Sequence, residues 1–115
     1  HTLVGPHRDD LVTTLSGYSA REYASQGQMR SIILALKMTE ITYLEATRGD
    51  CPILLLDDVS SELDRRRNAQ LFEFVRGKQG QTLITTTDRR YIQIERDVRT
   101  FSVSQGIVSL QAEAV

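Results

Sequence analysis

The chain has 115 residues, 40% of them apolar and 25% charged, with a formal net charge of −1. That is enough for one domain with a real core and too short for two, and the balance is that of a soluble globular protein rather than a disordered one. The near-neutral charge gives no whole-chain argument for nucleic acid, no apolar run approaches the ~18 residues of a membrane span, and the single Cys51 cannot form an internal disulfide, which fits a reducing cytoplasm.

In chain order, residues 2–4 read as a short strand closed by the turn signal Gly5-Pro6. Residues 11–15 read as a second short strand, followed by a Ser16-Gly17 turn and a brief segment at Tyr18-Ser19-Ala20. Over 25–47 the apolar residues Ile33, Leu34, Met38, Ile41 and Leu44 recur at three- and four-residue spacing, the mark of a helix. Ile32, Leu36 and Tyr43 widen that stripe, so the helix is expected to lie largely buried against a sheet. Gly49 follows its end, as a C-terminal glycine should.

After Cys51-Pro52, the run Ile53-Leu54-Leu55-Leu56 predicts a strand over 52–57 buried on both faces. A helix is expected over 65–76 with Leu71, Phe72 and Val75 inward, then a turn at 77–80 and a strand over 81–86. Segments 99–104 and 107–111 form a hairpin around Gln105-Gly106. The central order strand, helix, strand implies parallel pairing with a right-handed crossover, and the fold class is α/β.

The strand at 52–57 runs straight into Asp57 and Asp58. Burying unpaired charge is expensive, so two adjacent acids belong at the carboxyl end of the strand, where open α/β sheets place their ligands. There Asp57 can hold Mg²⁺ and Asp58 can orient a water for attack on a phosphate, the Walker B pattern.

Ser25-Gln26-Gly27-Gln28 opens the long helix and fits a capping box, Ser25 capping and Gln28 reaching back. The same hydroxyl, closely approachable glycine N–H and helix N-terminus also make a phosphate site. Ser61-Glu62-Leu63-Asp64 allows a second capping box, with Ser61 capping and Asp64 three residues on. Arg65, Arg66 and Arg67 then place three cations in a first helical turn, against the helix dipole, so an acidic neighbour, another subunit or a phosphate is expected to offset them. Thr85-Thr86-Thr87-Asp88 can be β propensity alone, or can bring a hydroxyl or carboxylate near a γ-phosphate. The loop Gly5-Pro6-His7-Arg8-Asp9-Asp10 reads as a solvated turn, and two histidines and one cysteine at unrelated positions argue against a metal site. No Gly-x-x-x-x-Gly-Lys-[Ser/Thr] loop occurs; Gly77-Lys78 has Phe72 in place of the first glycine and Gln79 in place of Ser or Thr.

Together these segments resemble the ATP-binding cassette superfamily, and more narrowly the RecF family of recombination-repair ATPases. The resemblance rests on Thr2 to Leu11, Ala24-Ser25-Gln26-Gly27-Gln28, Leu54-Leu55-Leu56-Asp57-Asp58-Val59, Ser61-Glu62-Leu63-Asp64 and Gln81 to Asp88. Asp57-Asp58, where most cassettes have Asp-Glu, and Ser-Gln-Gly-Gln, where they have Ser-Gly-Gly-Gln, are its specific marks; Met29 stands where the family more often has glutamine. It implies a cassette-like head fragment, with central parallel strands, flanking helices and a C-terminal β-hairpin. Residues 1–115 would be the C-terminal half of the head, holding the signature motif, Walker B strand and D-loop, with the P-loop half upstream of His1.

By the same resemblance, Asp57 binds Mg²⁺ through water and Asp58 polarises the attacking water. Ser25, Gln26, Gly27 and Gln28 meet an ATP held by the other protomer. Ser61 and Asp64 lie at the dimer seam, Thr87 or Asp88 takes the switch position, and Arg65, Arg66 and Arg67 are the DNA candidates. The implied function is a cytoplasmic DNA-binding ATPase of recombinational repair, replication-gap processing and the SOS response. Its expected partners are gapped or duplex DNA, a second copy of itself, RecR and RecO, with no membrane. Two alternatives share the acidic strand end: half of an AAA-type ATPase, and a non-catalytic receiver-like module. The latter wants a lysine on a later strand, and none follows Lys78.

Overall fold

Strand β3 (Leu54–Asp57) organises the middle of the chain. In this computed structural model residues 11–112 are described, and the expected strand at 2–4 and the loop Gly5-Pro6-His7-Arg8-Asp9-Asp10 lie outside them. Two short strands come first, β1 (Thr14–Leu15) and β2 (Tyr18–Ser19), paired antiparallel. Their turn places Ser16 and Gly17 at positive φ, 51° and 83°. Leu11 and Val12, expected in the first strand, are not part of it. A single turn, α1 (Ala20–Tyr23), leads to the 23-residue helix α2 (Gln26–Arg48). Gly49 ends α2 in the left-handed region at φ 66°, its N–H donating to the Glu45 carbonyl.

Strand β3 pairs in parallel with β4 (Thr82–Thr85), register Leu54 to Thr82 through Asp57 to Thr85. Between them runs α3 (Arg65–Gly77), whose Leu71, Phe72 and Val75 are buried, as the apolar spacing predicts. Leu71 and Val75 join Leu56 in the core, and Leu34, Leu54, Val59, Leu63, Ile84 and Ile94 pack around them. After β4 a 3₁₀ turn (Arg89–Tyr91) is tied back to α3 by the buried Asn68, whose Nδ2 donates to the Tyr91 carbonyl at 2.7 Å. The hairpin β5 (Phe101–Ser104) and β6 (Ile107–Leu110) closes through Gln105 and Gly106, both at positive φ, as a tight hairpin turn requires.

Two burial expectations need correction. Helix α2 is not largely buried: among its apolar residues Ile41 alone is buried, and Ile33, Leu36 and Tyr43 stand in solvent. Leu34 carries its contact with the core, and the other side of the stripe has no cover among the described residues. Nor is β3 buried on both faces. Leu54 and Leu56 point to α3, whereas Leu55 is 68% exposed and Ile53 60% exposed, because helix covers only one side of a two-stranded ladder. The expected capping box led by Ser61 is also replaced. Ser60–Glu62 forms a 3₁₀ turn, and Asp64 itself caps α3, its Oδ1 accepting from the Arg67 N–H at 2.8 Å.

The entry to the ladder is fixed at Gly80, which sits at φ 81° with its Cα against Cys51. A Cβ there would fall 2.9 Å from the Cys51 Cβ. Gly80→Ala therefore meets both a disfavoured backbone region and a clash, and is expected to cost about 1–3 kcal/mol, read as a lowered urea midpoint. Gly27→Ala, with open space around its Cβ and no positive φ, should not lower it.

Candidate functional site

The carboxyl ends of β3 and β4 converge on one cluster. Asp57 and Thr85 are register partners, so the parallel ladder sets them side by side on the face away from α3. The Thr85 hydroxyl donates to Asp57 Oδ1 at 2.5 Å. The next residue, Asp58, leaves the strand at φ 48°, a left-handed conformation that aspartate tolerates better than most side chains. Its N–H is shared between the Thr85 carbonyl and the Thr85 hydroxyl, each at 3.1 Å. Its carbonyl accepts from Ser61 Oγ at 2.9 Å. Asp58 is thus held at both ends of its backbone, and its Oδ1 is buried with no hydrogen-bond partner.

A buried oxygen without a partner costs about 1–3 kcal/mol. It is the kind of atom that a water, a cation or a phosphate-bound group satisfies. Among the described residues no group of three or more His, Cys, Asp or Glu side chains can hold a metal unaided. Asp57 and Asp58 could hold Mg²⁺ only with water and phosphate completing its shell, since that ion characteristically takes one or two carboxylates.

Ser25 and Gln28 form the reciprocal capping box: Ser25 Oγ accepts from the Gln28 N–H at 3.1 Å, and Gln28 Oε1 accepts from the Ser25 N–H at 2.9 Å. Ser25, Gln26, Gly27 and Gln28 are all exposed. Gly27 is required by neither backbone nor packing here, since its φ is not positive and nothing lies within 4 Å of a built Cβ. Such a glycine costs a helix about 0.5–1 kcal/mol relative to alanine and leaves the first-turn N–H groups open to close approach. This end of α2 is joined to the turn after the acids by Arg30, whose Nε lies 3.3 Å from Glu62 Oε2.

The remaining candidates divide by what already engages them. Asp64 is occupied by capping α3 and by Arg67, at 3.0 Å. Arg67 therefore has its acidic neighbour, while Arg65 and Arg66 project from the first turn of α3 without an ion pair among the described residues. Asp88 caps the Arg89–Tyr91 turn, and its two oxygens take the Arg90 guanidinium, the shortest contact being 2.6 Å. Thr86 fixes this loop through its own hydroxyl, and Thr87 is exposed beside it. Within Thr85-Thr86-Thr87-Asp88, where Thr87 and Asp88 are the expected switch residues, it is Thr85 that meets the first acid. Its signal was positional, the strand residue directly opposite the first acid.

Several relatives match the chain over most of its length. The chain is 50% identical over 107 residues to the DNA replication and repair protein RecF of Citrifermentans bemidjiense. It is 53% identical over 110 residues to that of Geobacter sulfurreducens, and 48% identical over 113 residues to that of Streptococcus equi subsp. zooepidemicus. These matches take in 91%, 94% and 97% of the chain but 29%, 30% and 30% of the relatives, so the chain spans under a third of the length of the curated relatives it matches. Two solved structures of the recombination mediator protein RecF in the RecFOR pathway, RecF-ATPrS and RecF-ATP, superpose with TM-scores of 0.70 and 0.69 at 40% identity. Each covers 96% of this chain, which in turn covers 29% and 28% of theirs. No protein-family model matches the chain. By fold it is α/β and ATP-binding-cassette-like. It belongs to the RecF family.

The Arg90 guanidinium, with the Arg90 N–H, holds the Asp88 carboxyl below the usual aspartate range. A depressed folded-state pKa means that the stabilising contribution is fully present above the ordinary aspartate value of ~3.9 and is lost as pH falls through the lowered one. In a carbon-detected NMR titration Asp88 should therefore titrate below a free aspartate, and Arg90→Gln should raise its midpoint. An unchanged midpoint in Arg90→Gln would remove the guanidinium as the cause.

Proposed function

We propose that this chain forms part of a DNA-binding ATPase of recombinational repair and replication-gap processing. The observation that carries the reading is the pair Asp57 and Asp58 at the carboxyl end of β3, one fixed by Thr85 and the other carrying a buried, unpartnered oxygen, in a chain like RecF-ATP. Asp57 would hold Mg²⁺, which when bound neutralises charge on the transferred phosphates. Asp58, turned out of the strand by its left-handed backbone, would orient the attacking water and accept its proton. Thr87 and Asp88 would complete the γ-phosphate side as switch residues.

In this reading residues 1–115 supply the signature motif, the Walker B strand and the D-loop of a head, and a P-loop comes from a segment outside them. The uncovered apolar residues Ile53, Leu55 and Leu83, on the same face as Asp57 and Thr85, support a further segment packing there. Ser25, Gln26, Gly27 and Gln28 would face the γ-phosphate of an ATP held by a second protomer, with Ser61 and Asp64 at the seam. The open space at Gly27 and the Arg30–Glu62 pair, which links signature helix to D-loop, support that arrangement. Arg65 and Arg66 are the cations best placed to meet DNA, with Arg67 beside them. The RecFOR context of the similar structures supports RecO and RecR as partners, and the protein would act in the cytoplasm. Among the described residues no helix is long and apolar enough to cross a membrane.

In the full-length protein, Asp58→Asn is expected to leave ATP binding intact and to slow hydrolysis by ~10²-fold or more, the scale of losing a general base. Turnover at the wild-type rate would exclude Asp58 as the residue that orients water.

Ser25→Arg tests the arrangement across two protomers. Loss of the cap alone predicts a drop of about 0.5–2 kcal/mol in stability with dimerisation spared. The proposed geometry predicts that monomer affinity for ATP changes little while ATP-driven dimers and hydrolysis largely disappear. Sedimentation with and without ATP, beside a thermal melt, separates them: a variant that melts early yet still dimerises on ATP would reduce Ser25 to a helix cap.

A further inference from the structure

One side chain joins the two acids, and it is neither of them. We propose that Thr85 is a positioning residue for the nucleotide-bound metal, locking the Asp57 carboxylate and the Asp58 backbone into one unit; this rests on the reading of Asp57 as the Mg²⁺ residue given above. Direction is fixed by chemistry. The Asp58 N–H can only donate, so towards it the Thr85 oxygen accepts, at 3.1 Å. The hydroxyl's single proton is then free for Asp57 Oδ1, at 2.5 Å. With Oδ1 engaged, the carboxylate is held against rotation, and no hydrogen bond among the described residues takes its Oδ2. That oxygen is the one left for a cation.

The link depends on register rather than on local sequence. Asp57 and Thr85 are 28 positions apart and meet because the ladder pairs them. A one-residue slip would turn the hydroxyl to the opposite face, toward α3. β-branching also restricts the threonine side chain to few rotamers, so the hydroxyl is pre-aimed. The Asp58 N–H retains the Thr85 carbonyl as a second acceptor. Removing the hydroxyl therefore breaks the link to Asp57 without stripping Asp58 of its backbone bond.

Two reciprocal substitutions test this in the full-length protein: Thr85→Val keeps the branched shape and loses the hydroxyl, and Thr85→Ser does the reverse. The readout is Mg²⁺ titrated calorimetrically into protein saturated with ADP, beside ADP affinity in EDTA and a thermal melt. Thr85→Val is expected to weaken metal binding by about tenfold or more, the usual scale for losing a hydrogen bond that orients a ligand, with ADP affinity in EDTA unchanged. Thr85→Ser should bind metal within about twofold of wild type on that scale, even if it melts lower. If packing were all that Thr85 contributes, the serine variant would be the more damaged of the two, and that ranking would overturn the inference. Asp57→Asn, run in parallel, separates the possible failures. Weak metal binding in Asp57→Asn with wild-type binding in Thr85→Val removes Thr85 alone. Unchanged binding in both removes Asp57 as the metal residue and this inference with it.

Discussion

At the carboxyl end of the β3–β4 ladder a single backbone N–H, that of Asp58, is shared by the carbonyl and the hydroxyl of Thr85. The chain beyond depends on this rung. It ends the strand and fixes Asp58 at φ 48°, a conformation worth about 1–3 kcal/mol of strain for a residue with a side chain. The left-handed step redirects the chain into the Ser60–Glu62 turn, where Ser61 bonds back to the Asp58 carbonyl. Two residues further, Asp64 caps α3, and α3 returns Leu71 and Val75 to the buried side of β3. The core and the acidic site are thus closed by the same hydrogen bonds, so the strained residue sits between two anchored points rather than at a free loop tip.

Four aspartates of the candidate site and its surroundings differ in occupation. Asp64 and Asp88 each cap a helical turn and each hold an arginine, so their oxygens are taken up by the protein's own donors. Asp57 offers Oδ2, and Asp58 offers a buried Oδ1 with no partner. An unpartnered buried oxygen is a standing cost, while an exposed ion pair contributes at most about 1 kcal/mol. Structural economy would have placed a donor beside Asp58. Glu45 Oε1 is likewise buried without a partner among the described residues, but it stands alone on α2, whereas Asp58 follows a second acid at the end of β3, and that pairing directs the functional reading there.

Much of this was legible in the sequence because it is local. A four-residue apolar run ending in two acids, a serine and glutamine three apart before a helix, and Gln-Gly between alternating segments each act within one turn or one strand. What was not legible depends on neighbours. The apolar stripe of α2 and the run Ile53 to Leu56 specify how much surface could be buried, not whether a partner covers it, and Ile33, Leu36 and Tyr43 of the first and Ile53 and Leu55 of the second stay exposed. Ser61 reads as a cap with Asp64 three residues on, but α3 begins only at Arg65, so Asp64 holds the N-cap position and Ser61 lies in the preceding 3₁₀ turn, donating to the Asp58 carbonyl. In sequence Thr85 is one of three adjacent threonines that fit either β propensity or a hydroxyl near a γ-phosphate, with nothing to single it out. Its significance came from pairing register, which single-sequence periodicity does not encode.

The open face of the ladder links fold and proposed chemistry. Ile53, Leu55 and Leu83 are each more than half exposed, and they share their face with Asp57 and Thr85. Covering side chains of this size is worth roughly 1.5–3 kcal/mol each, so a segment that packed there would gain several kcal/mol before any ligand bound. A segment packed over those residues would also be brought up to the carboxyl end of β3, near Asp57 Oδ2 and the buried Asp58 oxygen. On the reading proposed above, that segment carries the phosphate-cradling loop. The same apolar contact would then stabilise the head and set the distance between phosphates and acids. The exposed leucines and the unpartnered carboxylate would be two consequences of one missing neighbour.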